Sequence, residues 1–125
     1  IPYKKFFKRI IKIKHELNEL IRNIKKNKKI VHIYGASTKG NTIIQWQGIN
    51  DKIIEFAADR NPQKWGAKTI GSNIKIISEE KSKKMSPDYY LVLPWHFKKE
   101  FLKREKFFMN NGGKMIFPLP KIKIY

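Results

Sequence analysis

Residues that could bind a ligand or take part in catalysis are concentrated at three turns of this chain, and the first is a glycine turn. Residues 35–40, of sequence GASTKG, follow the β-branched run IVHIY at 30–34. Glycines allow a tight turn, and the free N–H groups of a helix that starts there can hold a phosphate. Ser37 and Thr38 can donate further hydrogen bonds, and Lys39 adds a positive charge. The pattern predicts an anion-binding turn; the alternative is a turn needed only to pack a helix on its strand.

Two better-known phosphate motifs do not match this turn. A dinucleotide fingerprint needs a second glycine two residues after Gly35, where Ser37 stands. A P-loop needs a lysine where this chain has Asn41, after Gly40. An NTPase is therefore disfavoured, while a simpler anion cradle stays open.

The second turn holds Asp59, Arg60, Asn61 and Pro62 after another apolar run. In doubly wound folds an acid at this place binds ribose hydroxyls, and Asp59 lies 24 residues after Gly35, which is close to the usual separation. Alternatively, Asp59 and Asn61 only cap the turn.

The third turn has the sequence LPWHF at 93–97. Ligands of open parallel sheets bind outside the carboxyl ends of the strands, so Trp95 and His96 could face the same crevice as Ser37 and Lys39. Trp95 can stack on a ring, and His96 can donate to a phosphate or act as acid or base. The alternative is that Trp95 packs and His96 caps a helix. The three histidines have no metal-ligand spacing, so no metal site is predicted.

The elements between these turns alternate in type. Apolar runs predict strands at 30–34, 53–58, 74–77, 89–93 and 114–117. Helical patterns occupy 42–47, a short segment after Ser78, and 97–110, and a long amphipathic helix precedes them at 3–29. Alternation of this kind favours an α/β fold: a Rossmann-like three-layer domain with a mostly parallel sheet of about five strands and a long N-terminal helix.

The composition limits the kind of protein further. The chain has 125 residues and no cysteine, which excludes disulfides and cysteine-ligated metal sites. No apolar run approaches 18 residues and no signal peptide is visible, so no membrane partner and a cytoplasmic location are expected. We divide the chain into a helix at 1–29, interpreted as a linker from an upstream domain, and a Rossmann-like domain at 30–125. The alternative for the helix is simple packing on the domain.

The net charge of +18 would by itself suggest nucleic acid. However, the chain has 24 Lys and only 4 Arg, whereas readers of nucleic acid favour Arg for its planar fork. A nucleic-acid partner is therefore disfavoured, although the positive field still attracts a phosphorylated small molecule.

Several motifs in one order resemble a known family. They are YGASTKGN at 34–41, DRNPQK at 59–64, PDY at 87–89, LPWHF at 93–97 and GGKMIFPLP at 112–120. Together they resemble the carboxyl-terminal domain of the sugar C-methyltransferases, enzymes that use S-adenosylmethionine to methylate nucleotide-linked deoxysugars. The resemblance implies an upstream zinc-binding domain and a central methyl-donor domain, and a carboxyl-terminal domain that holds the nucleotide-sugar substrate.

The resemblance also implies a set of substrate-binding residues. Candidates for contacting the phosphates or the sugar are Tyr34, Gly35, Ser37, Thr38, Lys39, Gly40 and Asn41; candidates for lining the cleft are Asp59, Arg60, Trp95 and His96. S-adenosylmethionine would bind an upstream domain and no cofactor would bind here. The family's catalytic residues would also lie upstream, so this chain should not methylate anything alone.

The family chemistry implies removal of a proton beside a keto group, and attack of the enolate on the donor methyl. This domain would contribute positioning. Three alternatives stay open: a self-standing dinucleotide-binding module, a nucleic-acid-binding protein, and a structural interaction domain whose long helix packs on a partner.

Overall fold

The structure, a computed structural model, describes the backbone of residues 2–125 and the side chains of residues 4–37 and 40–125. In chain order its helices and strands are α1 Pro2–Lys26, β1 Val31–Tyr34, α2 Thr38–Gln47, β2 Phe56–Asp59, β3 Lys75–Ser78, α3 Glu79–Lys84, β4 Tyr89–Val92, α4 Lys98–Arg104, α5 Lys106–Asn110, β5 Lys114–Phe117 and β6 Lys123–Ile124. Short 3₁₀ turns occupy Pro62–Lys64 and Trp95–Phe97.

The six strands form one sheet in the order β3-β2-β1-β4-β5-β6. The first five are parallel, and β6 runs antiparallel to β5. This confirms the predicted α/β, Rossmann-like architecture with its long N-terminal helix. The sixth strand was not predicted, because it is two residues long and follows Pro118 and Pro120, which end β5.

Alternate residues of each strand supply two separate cores. Ile33 of β1 and Leu91 of β4 point to the face covered by α1 and α2, where Leu17 and Ile44 are buried. The next residues along the same strands point to the opposite face, which α3, α4 and α5 cover. Burial on both faces explains why these strands are continuously apolar in sequence.

Helix α1 packs on the sheet mainly through its second half. Leu17, Ile21 and Ile24 belong to the core, whereas Phe6 and Ile11 are about half exposed, at 56% and 49%. The helical periodicity is therefore real over the whole length, but several apolar side chains of its first half, such as Phe6 and Ile11, stay exposed.

Both margins of the sheet have a protective element. On the β3 side, residues 66–69 lie alongside the strand, with hydrogen bonds from Gly66 N to Ile76 O and from Ile76 N to Ala67 O. On the β5 side, the margin is the two-residue strand β6.

The predicted helix over 97–110 is interrupted. It begins as a 3₁₀ turn, continues as α4, and breaks at Glu105 before α5. Glu105 has φ −99° and ψ 23°, outside the helical region, and its N–H still donates to Phe101 O. The sequence predicts that Phe97, Phe101 and either Phe107 or Phe108 face inward. Phe101 is buried and Phe108 packs on the second core, whereas Phe97 and Phe107 are exposed.

Candidate functional site

The crevice of the fold lies where β1 and β4 end side by side. Helix α2 leaves β1 on one face of the sheet and α4 follows β4 on the other, so the chain diverges at this point. A cavity of about 320 Å³ opens there, and its walls include Gly35, Asp59, Arg60, Pro94, Phe97 and Arg104. In open α/β sheets such a switch point is the usual ligand site.

Gly35 forms the floor of the crevice in a conformation that favours glycine. Its φ is +88°, and a Cβ atom built there would lie 2.8 Å from the ring of Pro94. Its N–H donates to Ala58 O of the neighbouring strand. The glycine therefore lets the turns after β1 and β4 touch.

Some of the polar groups at the start of α2 already have hydrogen-bond partners within the domain. Ser37 caps the helix, and its Oγ accepts the N–H of Gly40 at 3.0 Å. Gly40 packs so closely on Leu93 that a Cβ would lie 2.6 Å from the leucine Cβ. Asn41 turns away, donating to Ile70 O and accepting from the Ser72 hydroxyl. Thr38 and Lys39 are also predicted to bind substrate, and their side chains lie outside the described residues.

Asp59 makes the contacts of a turn-capping residue. Its Oδ2 accepts the N–H of Ala36 at 2.9 Å, and its Oδ1 accepts the N–H of Asn61 at 2.8 Å. Lys64 Nζ lies 3.8 Å from the same carboxylate and donates to Ala36 O. Asp59 therefore holds the first two turns together, as expected of a residue that caps a turn. Arg60 projects into the crevice, and its side chain is 66% exposed.

Trp95 and His96 lie at the same sheet edge as the glycine turn. Trp95 is partly buried against the second core, and His96 is exposed, 4.3 Å from the ring of Phe97 between ring centroids. The nearest cavity wall at this corner consists of Pro94 and Phe97. The structure thus brings the two corners together, with His96 at the rim rather than in the wall.

Tyr34 is buried below the crevice in a network that sequence reasoning missed. Its hydroxyl donates to Glu105 Oε2 at 2.7 Å and accepts from Arg104 at 3.2 Å. Lys83 Nζ lies 2.5 Å from the other oxygen of Glu105. Burial first, and then the Glu105 carboxylate, raise the pKa of Tyr34 well above its ordinary value. Tyr34 therefore acts as a neutral donor.

Glu79 links this network to the rim. It lies 3.6 Å from Arg60 and 3.8 Å from Arg104, and burial raises its pKa despite these two cations. The only sequence signal for Glu79 is its place after the N-cap Ser78, where an acid suits the helix dipole. Glu105 has no signal, because its position depends on the break between α4 and α5.

Two further findings concern the described part of the chain, residues 2–125. It contains no group of three acidic or histidine side chains placed to hold a metal ion. Among its helices, none combines the length and the apolarity that crossing a membrane requires.

Comparison with known proteins identifies the family. Residues 1–120 match the family model described as the C-methyltransferase C-terminal domain. The chain is 35% identical over 122 residues to "C-methyltransferase NovU" of Streptomyces niveus, a match that covers 98% of this chain and 29% of that protein. The chain thus spans less than a third of this relative's length. Together with the Rossmann-like fold and the crevice at its switch point, these matches show that the chain belongs to the family of C-methyltransferase C-terminal domains.

Proposed function

We propose that the crevice holds the nucleotide-linked deoxysugar substrate of an S-adenosylmethionine-dependent C-methyltransferase. The observation that carries this proposal is the cavity at the switch point, where Arg60 and Arg104 flank the glycine floor and Glu79 lies between them, 3.6 and 3.8 Å from the two guanidinium groups. Guanidinium groups suit a diphosphate because their planar forks match its oxygens. The net charge of +18 adds a long-range attraction for such an anion.

Each predicted substrate-binding residue keeps a place in the proposal. Arg60 and the start of α2, with Ser37, Thr38 and Lys39, would face the phosphates, while Trp95 and His96 would close the rim. Asn41 would hold the start of α2 in place through its hydrogen bonds with Ile70 and Ser72. Tyr34, Gly35, Gly40 and Asp59 would shape the floor through the contacts described above. The domain would fix the reacting carbon of the sugar relative to the methyl donor, so its contribution is positioning.

In this proposal the methyl donor binds outside this chain. Asp59, which would have to bind the ribose of an adenosyl group, has both carboxylate oxygens engaged by Ala36 and Asn61. The turn also lacks the glycine that lets a cofactor approach the backbone after Gly35. The domain alone is therefore inferred not to transfer methyl groups; S-adenosylmethionine would supply the methyl in a complete enzyme.

The test is calorimetric titration of the chain with a panel of nucleoside diphosphates and nucleotide-linked deoxysugars. Arg60→Ala should weaken binding about tenfold, since a charge-assisted hydrogen bond contributes about 1.5 kcal/mol or more. Arg22→Ala, which removes the same charge from exposed helix α1, is the matched control and should bind normally. Equal weakening by both variants would show that only the net charge of the chain matters for binding. No binding by the unmodified chain would refute the proposal.

A further inference from the structure

The first half of α1 and the neighbouring side of α2 carry apolar side chains that are open to solvent. Phe6 and Ile11 of α1 and Trp46 of α2 are 56%, 49% and 43% exposed. Ile10 and Leu119 are partly exposed and line a common groove with Trp46. These five residues are called the α1–α2 face.

The α1–α2 face contains a small groove. Its volume is about 130 Å³, and Ile10, Ile13, Trp46 and Leu119 are among its walls. The one polar wall residue, Gln47, uses its amide to bind Lys14 O and the Asn18 side chain across the two helices. The groove is therefore a preformed apolar depression, which suits an inserted apolar side chain of a protein partner better than the flat surface of a bilayer.

The charges around the face limit the partner. Six basic side chains and no acidic one lie between Lys4 and His15. A second copy of this chain pairing through α1 would bring like charges together, which costs free energy at an interface. The surface instead suits a partner that offers an apolar projection surrounded by carboxylates.

The relative suggests where such a partner comes from. This chain matches only 29% of the length of the S. niveus C-methyltransferase, so in that enzyme the same domain shares its polypeptide with a much longer remainder. Leu119 lies two residues after the end of β5, so the α1–α2 face reaches the same edge of the sheet as the crevice. A body docked there would stand next to the substrate site.

We propose that the α1–α2 face is the surface on which the remainder of the same C-methyltransferase polypeptide docks, through apolar contacts at the groove and carboxylates facing the α1 lysines. This inference rests on family membership and on the surface, and it does not depend on the identity of the substrate.

Hydroxyl-radical footprinting of the chain alone and of a full-length chimera tests the proposal. In the chimera, this chain replaces the matching part of the S. niveus enzyme. Oxidation of Phe6 and Trp46 should fall several-fold in the chimera. Phe107, 82% exposed on the opposite side of the sheet, is the internal control and should react equally in both.

A second form of the test uses two separate polypeptides, so that a misassembled chimera does not decide the outcome. The chain is mixed with the remainder of the S. niveus enzyme, and binding is followed by sedimentation and footprinting. Trp46→Glu should abolish binding, Phe107→Glu should not affect it, and added salt should weaken it because it screens the lysine contacts.

Three results would overturn the proposal. The first is unchanged oxidation of Phe6 and Trp46 in both the chimera and the mixture. The second is protection of these residues in the chain alone at high concentration, which would assign the face to a second copy. The third is protection by vesicles of phosphatidylcholine and phosphatidylserine without protection by the enzyme remainder, which would assign it to a membrane surface.

Discussion

At the scale of single residues, the domain buries the carboxylate of Glu105 almost completely. Glu105 is 4% exposed, and its carboxylate receives the Tyr34 hydroxyl and the Lys83 ammonium. A buried carboxylate is tolerated when its oxygens are bound in this way. The network fixes the end of α4 against β1, directly below the crevice.

Glu105→Gln should therefore lower the free energy of unfolding by about 2 kcal/mol, because it leaves Lys83 without its counter-charge while keeping an acceptor for Tyr34. Chemical denaturation measures the change. The control is Glu100→Gln, whose side chain is 63% exposed and pairs with Arg104 at the surface, and which should cost at most about 0.5 kcal/mol. Equal effects of the two variants would show that the buried network adds nothing to stability.

His32 gives the domain a defined response to acid. Burial lowers the pKa of His32 from 6.5 to about 4, and its Nδ1 lies 2.7 Å from the Ser82 hydroxyl. The unfolded chain binds a proton near pH 6.5, before the folded chain does, so stability should fall as the pH drops from 6.5 to about 4. The contribution is of the order of 3 kcal/mol at most.

His32→Asn, which cannot titrate, should lose stability less steeply over this range than the unmodified chain, as measured by denaturation at a series of pH values. His15→Asn removes an exposed histidine and should keep the original slope. Parallel curves for the unmodified chain and for His32→Asn would contradict the assignment.

At the scale of elements, the contact between α2 and β4 depends on Gly40. A Cβ atom there would lie 2.6 Å from the Leu93 Cβ, so Gly40→Ala should destabilise the domain by about 1–3 kcal/mol although alanine favours helices. Gly48→Ala, at the C-cap with φ +74° and open space around it, tests backbone strain alone and should cost about 1 kcal/mol. Thermal melting compares the two, and a smaller loss at Gly40 would refute close packing there.

Periodicity was enough to predict the order and type of these elements, because strands buried on both faces are continuously apolar and helices recur at three- and four-residue steps. The strand 114–117 and the Ser78 cap are confirmed to the residue. Boundaries that depend on tertiary contacts were not predictable: α2 begins at Thr38 rather than at 42, and β2 begins at Phe56 rather than at 53.

The sequence located the three turns of the candidate site, because glycine, proline and capping residues act locally. It did not locate Glu79, Arg104 or Glu105. Their roles arise from contacts between elements far apart in the chain, such as Tyr34 with Glu105, which no local pattern encodes. The residues proposed to bind substrate stay predictions for the titrations described above.

At the scale of the whole molecule, the net charge of +18 would attract either DNA or a nucleotide-sugar. The salt dependence of the affinity distinguishes these two ligands. If the chain bound duplex DNA through phosphate contacts, affinity would fall steeply as salt rises, in proportion to the phosphates neutralised. Binding of a nucleotide-sugar in the crevice involves two phosphates and should change far less.

We expect weak DNA binding that disappears at moderate salt, and nucleotide-sugar binding that persists, in fluorescence anisotropy and calorimetry over the same salt series. DNA binding tighter than nucleotide-sugar binding at physiological salt, with the steep loss of affinity at higher salt that many phosphate contacts produce, would favour the nucleic-acid alternative.

The covered margins of the sheet affect how readily the domain aggregates at high protein concentration. A long outer strand with unsatisfied peptide groups recruits other chains and seeds fibrils. Here, residues 66–69 already occupy the far side of β3, and the opposite margin offers only Lys123 and Ile124 for recruitment. Such a domain can be made in quantity, or tethered to other units, without polymerising through its strands.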